Sequence, residues 1–189
     1  MARIRELTQK DIPETVQILA ASEPVFKKGE GREDVQKLLQ SAIGRGIIYV
    51  AEEESQVAAV VYFIPEPIFA HGGYVRFLAV RPELRRRGIG RQLMGFVERK
   101  IFSQSSNAYL SVSMSNESAR RFCEKLGYEK VGEVPDLLDD GDREWILRKK
   151  ARSDARRYPR SSPPPDTVQA GTSPKVPRSH ATFPRQTED

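Results

Sequence analysis

The sequence predicts an α/β fold, with a mixed central sheet of about seven strands and about four helices. Three observations carry this. The hydrophobic pattern alternates between strand and helix periods in the order β α α β β β α β α β β. The segment from Tyr74 to Met114 reads strand–helix–strand, and a right-handed crossover makes its two strands parallel. Two β-branched runs around a polar turn, residues 47–64, read as an antiparallel hairpin.

Ile4 and Leu7 mark a short first strand. Thr8 then reads as a helix N-cap, with Asp11 three residues on in an approximate capping box. Pro13 lies in the first turns, where proline is tolerated. Ile12, Val16, Ile18 and Leu19 form a helical stripe to about Ala21, and Glu23-Pro24 breaks it. A second helix runs from about Arg32 to Ala42, with Val35, Leu38 and Leu39 on one face and Gly44 and Gly46 at its end. The hairpin strands are Ile47–Ala51 and Val57–Ile64, and Glu52-Glu53-Glu54 between them reads as a solvated turn or as negative potential that would attract a cationic amine. Pro65 and Pro67 end the second strand and open a loop reaching Gly73. Residues 74–80 are a strand, about 90–102 a helix, and 107–114 a strand. Residues 116–126 are a helix carrying Ala119, Phe122, Cys123 and Leu126 at helical spacing. Two strands close the fold, joined by a loop that contains Asp139 and Asp140.

Residues 151–189 differ in kind. They hold seven of the 13 prolines and scattered Tyr158, Val168, Val176 and Phe183. Such a segment buries too little apolar surface to offset its chain entropy, so disorder is expected there and a domain over 1–150. The net charge is +5, of which this tail supplies +3 (seven Lys/Arg, four Asp/Glu). The domain is therefore only mildly basic, and nucleic acid is not expected as its partner. Cys123 is the single cysteine, so no intramolecular disulfide forms. The N-terminus has no apolar stretch behind its basic residues and no window approaches 18 apolar residues, so neither a secretory signal nor a membrane span is expected. A cytoplasmic protein, monomeric or homodimeric, is the expectation.

The segment VRPELRRRGIGRQLM, residues 80–94, places three arginines and two glycines at the mouth of a helix. First-turn N–H groups lack intrahelical partners, the helix dipole adds positive potential, and glycine admits a bulky anion to the backbone. A third glycine at 93 would make a dinucleotide fingerprint, but Leu93 stands there. No GK[ST] follows, so it is not a P-loop. Alone, the segment fits an anion cradle and a charged loop equally.

With its spacing Arg85-x-x-Gly88-x-Gly90, this segment resembles the acetyl-CoA motif of the GNAT superfamily of N-acetyltransferases. Downstream, Asn116, Ala119, Phe122, Lys125, Gly127 and Tyr128 resemble that superfamily's later strand–helix segment, and the element order fits over about residues 3–149. The resemblance implies the GNAT fold, with the strands splayed at the cofactor site, acetyl-CoA as acyl donor, no metal, and a primary amine as acceptor. It implies that the backbone N–H groups of Arg86, Arg87, Gly88, Ile89, Gly90 and Arg91 receive the CoA pyrophosphate, with Arg85 and its neighbours adding charge. It places the pantetheine arm along the edge of Leu78, Ala79 and Val80. The Leu78 N–H would then act as oxyanion donor, and Asn116 would contact the arm.

The pattern departs where proton transfer is concerned. The superfamily's usual acid, a tyrosine, is Cys123 here, either a proton donor to sulfur or a small buried apolar residue. Two positions used as glutamate bases in parts of the superfamily are Tyr74 and Ser111. Tyr74 reads as the tip of a water relay or as a strand aromatic. Arg76, two residues on, would attract an acidic substrate group or pair with a glutamate. His71 reads as a loop residue and Trp145 as core or interface. A CoA-binding module without chemistry, acting as a sensor or interaction protein, is the alternative, and a nucleic-acid-associated protein using the arginine run is a third reading. The acceptor amine carries no signature.

Overall fold

A computed structural model describes residues 2–22, 31–68, 72–137, 141 and 143–151. The Glu23-Pro24 break, His71, Asp139, Asp140 and the proline-rich tail beyond 151 lie outside the described residues. Met1–Tyr158 is one unit and Pro159–Asp189 a second, which falls wholly among the residues not described.

Among the described residues, seven strands and four α-helices form in the expected order: β1 Arg3–Glu6, α1 Ile12–Ala20, α2 Arg32–Ala42, β2 Ile48–Glu53, β3 Gln56–Ile68, β4 Gly72–Val80, α3 Ile89–Phe102, β5 Asn107–Ser113, α4 Glu117–Lys125, β6 Glu129–Pro135 and β7 Arg143–Lys150. They make one mixed sheet in the order β1-β2-β3-β4-β5-β7-β6. Every pairing is antiparallel except β4 with β5, the parallel pair that the crossover through α3 requires.

The sheet buries both faces. On one, Leu93, Met94, Val97 and Ile101 of α3 and Cys123 of α4 join Phe63, Val75, Leu110 and Leu147. On the other, Ile18 and Leu19 of α1 and Val35 and Leu39 of α2 join Val50, Val60, Phe77 and Ala79. The helical stripes read from the sequence are these contact faces.

Two boundaries differ from the sequence expectation. β3 continues through Pro65 and Pro67 to Ile68. Proline lacks the N–H that a two-sided ladder needs. Here β2 begins only at Ile48, which pairs with Tyr62, and β3 beyond Phe63 has β4 alone as a partner. β4 in turn starts at Gly72, not Tyr74, because its glycines admit close neighbours. A Cβ on Gly72 would stand 2.2 Å from Tyr109 Cε2, and one on Gly73 would stand 2.8 Å from Ile101 Cγ1 and 3.0 Å from Ile64 O. Gly73→Ala is expected to cost about 2 kcal/mol of stability, since Ile101 is fully buried and the Ile64 carbonyl is backbone. Urea unfolding of the variant checks this.

Glu52 is not part of a solvated turn. Arg5 binds it through Nε at 2.7 Å and holds Asp11 with both terminal nitrogens, at 2.7 and 2.9 Å. Asp11 also accepts from the Thr8 N–H at 2.8 Å and the Thr8 hydroxyl at 2.6 Å. The cluster ties β1, β2 and the entry to α1 together. The turn itself is Glu54-Ser55, both at positive φ (50° and 64°), the backbone that tight hairpins favour. Burial alone would raise the Asp11 carboxyl. Its hydrogen bonds with Arg5 and Thr8 outweigh burial and hold it down to about 2. Because the folded value lies below the unfolded 3.8, this stabilisation is full above about pH 4 and is lost as pH falls toward 2. Between pH 5 and pH 2 the protein is expected to lose about 2 kcal/mol more than Asp11→Asn does, measured by urea unfolding at each pH.

Candidate active site

The parallel pairing of β4 and β5 stops early. It runs from Gly72↔Asn107 to Val75↔Leu110. Beyond that, Phe77–Val80 pair only with β3, and Ser111–Ser113 pair only with β7. The strands part at Arg76. This residue is an insertion in the β3–β4 ladder, since Phe63 pairs with Val75 and Tyr62 with Phe77. Such a bulge bends the strand and ends local pairing.

Backbone alternation fixes what the freed edge offers. The Arg81 N–H donates to Ala58 O at 2.9 Å, so Arg81, Ala79 and Phe77 form the bonded pairs with β3. The N–H and C=O groups of Leu78 and Val80 therefore point toward the gap. Arg85 Nε donates to Val80 O at 3.2 Å and Arg85 Nη2 reaches Ala21 O at 3.5 Å. Its guanidinium thus braces the end of β4, a role additional to the charge that the motif implies. Arg81, unnoticed in the sequence, braces the same corner: it donates twice to Val57 O, at 3.1 and 2.9 Å, and lies 3.5 Å from Glu14.

The loop from β4 to α3 gathers backbone donors. Gly88 caps α3 at φ 83°, and the first α-helical bond runs from the Gln92 N–H to Gly88 O at 3.0 Å. The N–H groups of Ile89, Gly90 and Arg91 thus precede the ladder. Arg86 turns the loop at φ 62°. No backbone bond among the described residues is donated by Arg86, Arg87 or Gly88. The side chains of Arg86, Arg87 and Arg91 are exposed. A Cβ added to Gly88 would meet nothing within 4 Å, so the space over the turn is open. Six successive N–H groups, three guanidinium groups and a helix dipole make this corner suited to a multiply charged anion.

Gly90 sits where β4, α3 and α4 meet. A Cβ there would lie 3.4 Å from Val80 Cγ2, 3.5 Å from Phe122 Cζ and 3.7 Å from Leu78 Cδ2. Asn116 caps α4, its Oδ1 accepting from the Ala119 N–H at 2.8 Å. The cap commits the oxygen and leaves the Asn116 Nδ2 group as what it can offer a ligand.

On the opposite face of the sheet from α3, Tyr74 and Ser111 meet. Val75, Leu110 and Val112 belong to the core under α3, so their strand neighbours Tyr74 and Ser111 point the other way. The two hydroxyls lie 3.0 Å apart. The two positions where the superfamily resemblance puts carboxylates are therefore joined as one hydroxyl pair. Cys123 is placed differently: it is 5% exposed, in the core against α3. Burial pushes its thiol up to about 12, and Glu124 and Glu98 add to the shift. Trp145 lies between Arg120 and Lys130, whose charged ends are 4.5 and 4.1 Å from its ring centre.

Residues 12–128 match the model of the acetyltransferase (GNAT) family. This chain belongs to the GNAT family. An uncharacterised N-acetyltransferase of Methanocaldococcus jannaschii is 34% identical over 104 residues, which cover 54% of this chain and 65% of that protein. The chain thus spans 65% of the length of that curated relative. Ard1 of Thermoplasma volcanium shares the fold with a TM-score of 0.67 at 20% identity, covering 80% of this chain and 98% of that one. The yncA protein of Salmonella typhimurium, solved with its cofactor acetyl-CoA, aligns with a TM-score of 0.63 at 14% identity, covering 79% and 94%. The splayed mixed sheet is therefore the GNAT fold, as the sequence led us to expect.

Proposed function

We propose that the protein is an N-acetyltransferase that moves an acetyl group from acetyl-CoA to a primary amine. The observation that carries the reading is the joining of two features at one fork: the donor-rich turn of Arg86–Arg91 and the freed edge of Leu78–Val80. When bound, acetyl-CoA supplies an acetyl group activated as a thioester. The turn suits its pyrophosphate, and the open space at Gly88 and the unladdered N–H groups fit that group. The Leu78 N–H and C=O and the Val80 N–H offer strand-like groups to the amide-bearing arm, the Val80 carbonyl being held by Arg85, and Asn116 adds its Nδ2.

The residues then divide the work. The Leu78 N–H stabilises the carbonyl oxygen as negative charge develops there, an effect worth roughly 3 kcal/mol in enzymes where such a donor has been removed. The acceptor amine attacks only when neutral, which favours an α-amine (pKa about 8) over a lysine side chain (pKa about 10.4) at pH 7. As the C–N bond forms, the Tyr74–Ser111 pair would pass the amine's proton to solvent, and as the C–S bond breaks the CoA thiolate would leave and take a proton from water. Each hydroxyl both accepts and donates, so neither oxygen need hold a charge. Cys123 takes no part in this scheme, because its thiol is buried against α3.

The site of action is cytoplasmic in this reading. Among the described residues no helix is long and apolar enough to cross a membrane. Incubation with acetyl-CoA and a panel of primary amines tests the proposal, with release of CoA thiol as the readout. Amine-dependent thiol release is expected. Calorimetric CoA binding without thiol release on any amine would instead favour a binding module, which the non-acidic Tyr74 and Ser111 positions allow.

A further inference from the structure

Arg76 is the residue inserted at the fork. The bulge places it and Phe77 in succession against one ladder partner, Tyr62. Its guanidinium lies 5.7 Å from the Tyr62 ring centre, and Tyr62 in turn meets the Phe77 ring edge-on at 5.6 Å. Phe77 is buried beneath α1 and α2, so Arg76 stands on the face opposite α3. That is the face of the Tyr74–Ser111 hydroxyl pair, two residues back along the same strand. The anion cradle opens at the N-terminus of α3, so the two faces of the fork differ in what they offer.

The chemistry of Arg76 is unusual for its setting. It is exposed, and among the described residues it makes no ion pair and no hydrogen bond. Two arginines at the end of β4 are committed, Arg81 to Val57 and Glu14 and Arg85 to Val80 and Ala21, while Arg86, Arg87 and Arg91 belong to the cradle. On the same side of the sheet, Arg5 of β1 is paired with Asp11 and Glu52, and Glu129 of β6 lies across from Arg148 of β7. Arg148 of β7 lies across from Tyr109, and Glu144, opposite Ser113, is 2% exposed and has its own partner. A guanidinium oriented on an aromatic ring keeps its planar fork of donors for a planar anion. One positive charge matches one carboxylate.

We infer that Arg76 selects acceptors that carry a carboxylate beside the amine, such as an amino acid or the acidic start of a peptide. This rests on the acetyltransferase reading and names its substrate class. The guanidinium would hold the carboxylate while the amine lies toward the hydroxyl pair.

The test uses the full chain with acetyl-CoA and matched acceptors. Free amino acids are compared with their amides, and peptides starting Ala-Asp or Ala-Glu with Ala-Asn or Ala-Gln. The carboxylate member of a pair is expected to be favoured about tenfold or more in kcat/KM, mainly through KM. Arg76→Ala should bring that ratio near one, and Arg76→Lys should keep part of it. Preference among free amino acids alone marks a small-molecule acceptor, and preference among peptides alone a protein N-terminus; either supports the inference. Equal rates within every pair, or a ratio unchanged in Arg76→Ala, would overturn it while leaving the acetyltransferase reading intact. If no amine is acetylated, that reading fails, and calorimetry of the same pairs on the CoA-loaded protein still decides. Equal affinities there overturn the role of Arg76.

Discussion

Replacing Arg86 and Arg87 together by glutamate is expected to weaken acetyl-CoA binding by at least about a hundredfold. Both side chains are exposed and neither pairs with another of the described residues, so they contribute to the surface potential over the turn and little to the described fold. A hydrogen bond to a charged group contributes about 1.5–3 kcal/mol, and two such bonds lost amount to roughly 3 kcal/mol or more. That corresponds to about a hundredfold in Kd, before the repulsion of two new carboxylates is counted. Arg86 already holds φ at 62°, and glutamate is no worse there than arginine, so the exchange adds no backbone strain. Calorimetry with CoA reads the loss, and thermal unfolding checks that the fold survives. A control with Lys10→Glu and Lys37→Glu changes net charge equally at exposed sites far along the chain. Equal weakening in the control would assign the effect to overall charge, and no weakening in the first variant would remove the side chains from the cradle. The affinity of the unaltered protein should also fall as salt is raised.

Tyr74→Phe is expected to lower kcat by about a hundredfold or more, the lower range for a positioned proton-transfer group. Acetyl-CoA affinity should stay unchanged, because Tyr74 lies on the face opposite the helix that carries the cradle. Ser111→Ala cuts the same relay one step further on. The double variant should therefore be little worse than Tyr74→Phe alone, as expected for groups acting as a unit. Full activity in Tyr74→Phe would hand the proton directly to solvent. Additive losses in the double variant would mean that the two hydroxyls act separately.

Much of this was legible in the sequence, for identifiable reasons. The helices α1, α2 and α3 show because their apolar stripes match a single buried face each, and α2 runs from Arg32 to Ala42 as the periodicity indicates. The cradle shows because glycine and charge at a helix mouth have a local cause. What stayed hidden depends on contacts between distant segments. The pairing of Tyr74 with Ser111 needs the parallel register Tyr74↔Tyr109, which no local pattern encodes. The clamp of Arg5 on Asp11 and Glu52 joins residues up to 47 apart in the chain. The extension of β3 through two prolines follows from a missing neighbour on one side, and a missing neighbour leaves no trace in the strand's own residues. Arg85 reads as a motif position, yet its hydrogen bonds to Val80 and Ala21 require the folded corner.

The residue inserted at Arg76 also changes the parity of its strand. Val75 faces the core under α3, and so do Leu78 and Val80, although an unbroken strand would send residues 75 and 78 to opposite sides. β4 is thus two half-strands out of phase by one step: the first zipped into the sheet, the second loose along one margin. Deleting this single residue would leave Phe77 and Ala79 facing α1 and Leu78 and Val80 facing α3, but it would make the ladder with β3 regular and remove the bulge that bends β4 away from β5. A one-residue deletion here should therefore be more damaging than any substitution at the same position. For this strand, length is part of the information that specifies the site.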